Sequence, residues 1–128
     1  MQFYHTTFTD RSFDEAISAV TEALKEEGFG VLTNIDIAAK LKEKIGVTMP
    51  RYTILGACNP PLAHKALSME NKIGVMLPCN VIVRETEDGP VEVSSIDPKA
   101  SMAAAGNDSL ISVAGEVSDK LKRVIDSL

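Results

Sequence analysis

The amino-acid sequence predicts an α+β fold in the order β-α-β-β-β-β-α. The expected architecture is an antiparallel sheet of about five strands carrying two long helices on one face, with short helices inserted around the third strand. Three observations predict it. Amphipathic helical stripes lie near both ends of the chain, strand-like runs follow one another between them, and the turn-rich segment Glu87-Asp88-Gly89-Pro90 joins two of those runs as a hairpin. Strict strand–helix alternation, the mark of a parallel sheet, is missing.

Residues 2–9 are the first expected strand, because Phe3, Tyr4, Thr6, Thr7, Phe8 and Thr9 are aromatic or β-branched. Ser12 and Glu15 then make a capping box, in which each side chain reaches the other residue's backbone N–H. Phe13, Ile17, Val20 and Leu24 follow at helical spacing. Gly28 stops this helix, since glycine takes the left-handed cap conformation without steric cost. Gly30 to Ile35 reads as the second strand. Asp36 caps a short helix with Ile37, Ala38, Leu41 and Ile45 inward and Gly46 as its stop.

After Pro50 comes a nearly all-apolar third strand, Tyr52 to Cys58. Asn59 is the N-cap of a helix over about residues 60–70, with Pro60 at the first helical position, where its missing N–H costs nothing. Leu62, Ala63, Ala66 and Leu67 form its buried side. Val81 to Glu85 and Val91 to Ile96 are the hairpin strands; Val81 and Val83 share one face, as do Val91 and Val93. Arg84 and Glu92 are placed to pair across that hairpin. Pro98 to Gly106 is small and Ala-rich and receives no assignment. Asn107 or Asp108 caps the final helix, whose stripe is Leu110, Val113, Val117, Leu121, Val124 and Leu128. The two long helices cover one sheet face, leaving the other to the short helices or to a second subunit.

A chain of 128 residues is the size of one domain, spanning 1–128. The net charge of -5 and the pI near 5.0 argue against nucleic acid as a partner, because such binding draws its affinity from neutralising phosphates. Lys40, Lys42, Lys44 and Arg51 are the candidate basic patch, and a solvated helix face accounts for them. No run approaches the roughly 20 apolar residues of a membrane span. The first residues lack the charged start and apolar centre of a signal peptide, so a cytoplasmic location is expected, with both cysteines as thiols.

Both cysteines lie in Cys-Asn pairs where apolar runs meet turn formers: Ile54-Leu55-Gly56-Ala57-Cys58-Asn59-Pro60 and Leu77-Pro78-Cys79-Asn80-Val81. With these segments, Leu62-Ala63, Gly28-Phe29-Gly30-Val31-Leu32-Thr33 and Ile73-Gly74, the chain resembles the bacterial and archaeal family known as domain of unknown function 302. The resemblance runs from the first strand to about Pro98. It implies a curved antiparallel sheet with two helices, similar to the TATA-binding-protein-like class, and association in pairs. It implies no activity.

If the third and fourth strands are antiparallel neighbours, the end of one and the start of the next share a sheet edge, and the two sulfurs converge. Cys58 also precedes a helix start, whose positive dipole end favours a thiolate. The leading expectation is a binding module with its pocket at Cys58, Asn59, Cys79 and Asn80, a binder more than an enzyme. A redox-responsive or catalytic thiol at Cys58, a homodimeric interaction module and a metal-binding protein are the alternatives. A metal site needs ligands beyond the two sulfurs, and besides carboxylates only His5 and His64 are available; nothing has the spacing of a C-x-x-C site. His64 reads as a surface residue opposite its helix's apolar stripe, and the direction of His5 is not readable. Gly28-x-Gly30 follows a helix and precedes a strand, the reverse of a dinucleotide-binding turn.

Overall fold

The computed structural model describes residues 2–128. Its elements are β1 (Tyr4–Thr9), α1 (Phe13–Glu26), β2 (Gly30–Asp36), α2 (Ile37–Ile45), β3 (Tyr52–Cys58) and α3 (Pro60–Met69). A 3-10 turn at Ile73–Met76 follows, then β4 (Cys79–Glu85), β5 (Val91–Ile96), α4 (Pro98–Ala103) and α5 (Leu110–Asp126). Local chemistry sets many of these boundaries. At the start of α1 the Glu15 N–H donates to the Ser12 hydroxyl and the Ser12 N–H donates to the Glu15 carboxylate, each at 3.2 Å. At its end Gly28 takes φ 84°, and the Phe29 N–H reaches back to the Leu24 carbonyl at 2.9 Å. That closure turns Phe29 into the core, where it is buried.

The sheet is antiparallel throughout and runs β1-β5-β4-β3-β2, so the first two strands lie at opposite edges. Leu55, Val81 and Ser95 stand in one row across the middle strands, and Thr53, Val83 and Val93 in the next. These rows face α1 and α5. Val20 and Leu24 from α1 and Leu121, Val124 and Ile125 from α5 are excluded from water on the other side. Each such aliphatic side chain stabilises the fold by about 1.5–3 kcal/mol, so this layer carries most of the hydrophobic driving force. The final-helix stripe matches the expectation from Leu110 to Val124, with Leu128 partly buried and Ala114, Ser118 and Ile125 added to it.

The opposite face carries Tyr4, Phe8, Tyr52, Ile54, Ile82 and Ile96, none fully buried. On that face Arg84 and Glu92 pair at 2.8 Å, as their positions in the hairpin suggested. The short helices leave it largely uncovered, because α3 packs against α5 on the covered side.

Four local expectations need correction. The α2 stripe is not inward: no residue of that helix is buried and Ile45 is 68% exposed, because α2 lies at the edge-strand side with no helix facing it. Leu67 is exposed at the rim of α3 instead of sitting beneath it. The segment left unassigned contains α4, capped by Asp97, whose carboxylate accepts from the Lys99 N–H at 3.0 Å ahead of Pro98. The residue flanking α5 is Ser109; the Asn107 side chain instead accepts from the Ser109 N–H at 3.0 Å.

Candidate functional site

β3 and β4 are neighbours, and Ala57 stands opposite Cys79. The end of one strand and the start of the next therefore share one end of the sheet, with Cys58 a single residue further along. Neither cysteine is in a disulfide; Cys58 is half-buried and Cys79 is buried. Burial pushes the Cys79 thiol up to about 11, and a negative charge on Cys58 acts in the same direction. At neutral pH Cys79 is a protonated, inert S–H group.

Asn59 links this corner to the rest of the fold. Its side-chain oxygen accepts from the Leu62 N–H at 3.3 Å and so caps α3, while its amide donates to the Glu27 carbonyl at 3.2 Å. A Cβ on Gly28 would come within 3.1 Å of that amide, so Gly28 serves both the left-handed turn and the close approach. Gly56, on β3, is equally constrained. A Cβ there would crowd the Thr33 hydroxyl and sit 2.7 Å from the Pro78 ring.

Beside the two cysteines lies a cavity of about 310 Å³, closed by α3, the 3-10 turn, α4 and α5. Its walls include Phe29, Leu62, Ala66, Met102, Val113 and Val117, and Cys58, Asn59 and Cys79 complete it. Pro78 and Leu32 also border it, so the chamber wraps around the sheet end and meets residues from both faces. It is roughly twice the size of an engineered 150 Å³ apolar cavity that binds benzene.

Asn80 is the one expected site residue that lies elsewhere. β4 starts at Cys79, so strand alternation places Cys79, Val81 and Val83 on the covered face and Asn80 on the other, opposite Gly56. Asn80 lines a separate groove of about 320 Å³ with Tyr52, Ile82 and Ile96. The remaining three expected residues converge.

The histidines separate as well. His64 is exposed on α3. His5 points toward α5, its Nε2 lying 3.2 Å from the Ser118 hydroxyl and 3.9 Å from the Asp97 carboxylate. One ring nitrogen serves both contacts, whereas a nucleophile–base–acid relay needs one partner on each. Nearby, the Ser95 hydroxyl is buried without a hydrogen-bond partner. Among the described residues no three His, Cys, Asp or Glu side chains are grouped to hold a metal ion. The basic candidates are partly neutralised: Arg51 stacks over the Phe13 ring at 4.0 Å and pairs with Asp14 at 3.0 Å, and Lys40 lies 3.7 Å from Glu43.

Sequence reasoning missed Phe29, Met102, Val113 and Val117 as cavity residues. Phe29 had a signal, because the residue after a helix-stopping glycine commonly packs back on the last turn. Met102 had none, since its place depends on how α4 docks.

The profile of a family described as "Domain of unknown function DUF302" matches residues 4–128. A protein of Aquifex aeolicus (strain VF5) named "Uncharacterized protein" is 32% identical over 75 residues, 59% of this chain and 46% of that one. The chain thus spans about half the length of that curated relative. Among solved structures, the "uncharacterized conserved protein DUF302 from Bacillus stearothermophilus" superposes with a TM-score of 0.92 at 28% identity, covering 98% of both chains. Among the described residues no helix is long and apolar enough to cross a membrane.

Proposed function

The chain belongs to the DUF302 family, and on that premise we propose that it is a small-ligand-binding module whose pocket is the cavity beside Cys58 and Cys79. One observation carries this reading: the chamber of about 310 Å³ is concave and apolar, with few polar groups at its margin. Binding sites for small organic molecules have this character. A catalytic thiol finds less support. Cys58 would need a base or acid in reach, and the one polar side chain bordering the cavity besides the thiols, Asn59, is already engaged at both ends. We place the module in a reducing, cytoplasmic setting, where both cysteines stay thiols.

An uncharged naphthalene-type fluorophore tests the reading. The wild-type protein should bind it saturably at one site, and Ala63→Phe, which places a ring at the cavity wall, should abolish that binding. Equal binding by the variant would refute the pocket.

A second reading concerns the uncovered sheet face, which presents Phe3 at 63%, Phe8 at 57% and Ile35 at 42% exposure. Apolar surface so concentrated favours burial against another protein, and we propose a second copy of this chain as that partner. A sedimenting monomer at micromolar concentration would eliminate the homodimer.

A further inference from the structure

The cavity is richer in sulfur than an organic ligand requires. The chain has two Cys and five Met, and Cys58, Cys79 and Met102 all border this one chamber. Hard donors are almost lacking there. Thiolate and thioether sulfur selects soft ions, while carboxylate and carbonyl oxygen suits hard ones. We propose that the chamber binds a soft monovalent d10 cation, copper(I), through the sulfurs of Cys58 and Cys79 with the Met102 thioether as a third donor. The inference rests on the same cavity being open to solutes, as the ligand-binding reading also requires.

The donor set fits this ion and not zinc. Zinc in a structural site takes four ligands in a tetrahedron, and neither histidine borders the cavity. A monovalent d10 ion is satisfied by two thiolates in a near-linear arrangement, which a third, neutral donor can bend. With metal–sulfur bonds of about 2.3 Å, the two sulfurs must lie roughly 4.6 Å apart. Residues directly opposite in an antiparallel pair have Cα atoms about 4.5–5.5 Å apart, and Cys58 is one step along from Ala57, the partner of Cys79.

The charges balance as follows. Each thiol releases its proton to solvent and gives a sulfur lone pair to the ion. No electron is transferred, so the copper remains monovalent. Two thiolates and one cation leave a single negative charge, which faces the positive N-terminal end of α3, a helix of 10 residues. Because Cys79 holds its proton tightly, binding should strengthen as pH rises.

The test is anaerobic titration with copper(I) against a chromophoric chelator, with native mass spectrometry for stoichiometry and the naphthalene-type fluorophore run on the same samples. Changing groups that merely surround a metal's ligands costs about 10–100-fold in affinity, so losing a ligand in Cys58→Ser or Cys79→Ala should cost more than about 100-fold. Met102→Leu, which keeps volume and apolarity, should cost on the order of 10-fold. Circular dichroism confirms that each variant is folded, and Cys79→Ser replaces Cys79→Ala if that variant is not. One ion per chain with these losses supports the assignment. Absent copper binding beside intact fluorophore binding overturns it and leaves the pocket standing. Copper retained equally by Cys58→Ser overturns it too. If neither probe binds, both readings fall.

Discussion

Replacing Cys79 with alanine should change how stability depends on pH. In the folded protein burial raises this thiol from 9.0 to about 11. Unfolding exposes it and returns it to the lower value. Below about pH 9 both states keep the proton and the group contributes no pH dependence. Between the two values the unfolded chain is ionised while the folded protein is not, so the unfolded state binds fewer protons and stability falls as pH rises. Two pKa steps at 1.36 kcal/mol each correspond to roughly 3 kcal/mol, of which about 2 kcal/mol is lost by about pH 10.5. Lysines, tyrosines and Cys58 titrate in the same range, but they do so equally in Cys79→Ala and cancel in the difference. Urea unfolding under reductant, from neutral pH to about pH 10.5, measures it. At about 1–3 kcal/mol per molar urea, the wild-type midpoint should drop by roughly 0.7–2 M more than that of the variant. Parallel curves for the two proteins would refute the claim that burial keeps Cys79 protonated.

Three further outcomes follow from the same corner. Gly56→Ala should cost more than about 3 kcal/mol by chemical denaturation, because the new methyl meets Thr33 and the Pro78 ring in a paired strand; a loss below about 1 kcal/mol would mean the sheet yields there. Asn59→Ala removes a helix cap and orphans the Glu27 carbonyl, so about 2 kcal/mol should be lost, against only about 1 kcal/mol for Ser12→Ala at the exposed cap of α1. Alkylation of the native protein at neutral pH should label Cys58 first, with Cys79 reacting only after denaturant is added, as peptide mass mapping would show.

The sheet with its two long helices was legible because its boundaries are written in local chemistry. Ser12 with Glu15, Gly28, and Asn59 with Pro60 each act within one helical turn, and the structure uses each as expected. The same signature, Asp97 followed by Pro98, marks α4. It passed unassigned because Lys99 to Ala105 carries small residues and no apolar stripe. The α2 stripe failed for the converse reason: Ile37, Leu41 and Ile45 repeat correctly, but a stripe is buried only if something packs on it. At the candidate site, adjacency of Ala57 and Cys79 followed from topology. Asn80 was misjudged through a strand start set two residues late; beginning at Cys79, alternation alone sends it to the far face. Met102 and Val113 reach the cavity through long-range docking, which no local pattern encodes.

The strand order also bears on when the fold can assemble. β1 hydrogen-bonds only to β5, with Tyr4 opposite Ile96. The opening strand therefore waits for almost the whole sheet to be synthesised before it has a partner, and such distant pairing slows folding. Until it docks, β5 presents an unpaired edge, the kind of surface on which other chains can add a strand. Events that delay or detach β1 should thus favour aggregation through β5 well before the helical layer is disturbed.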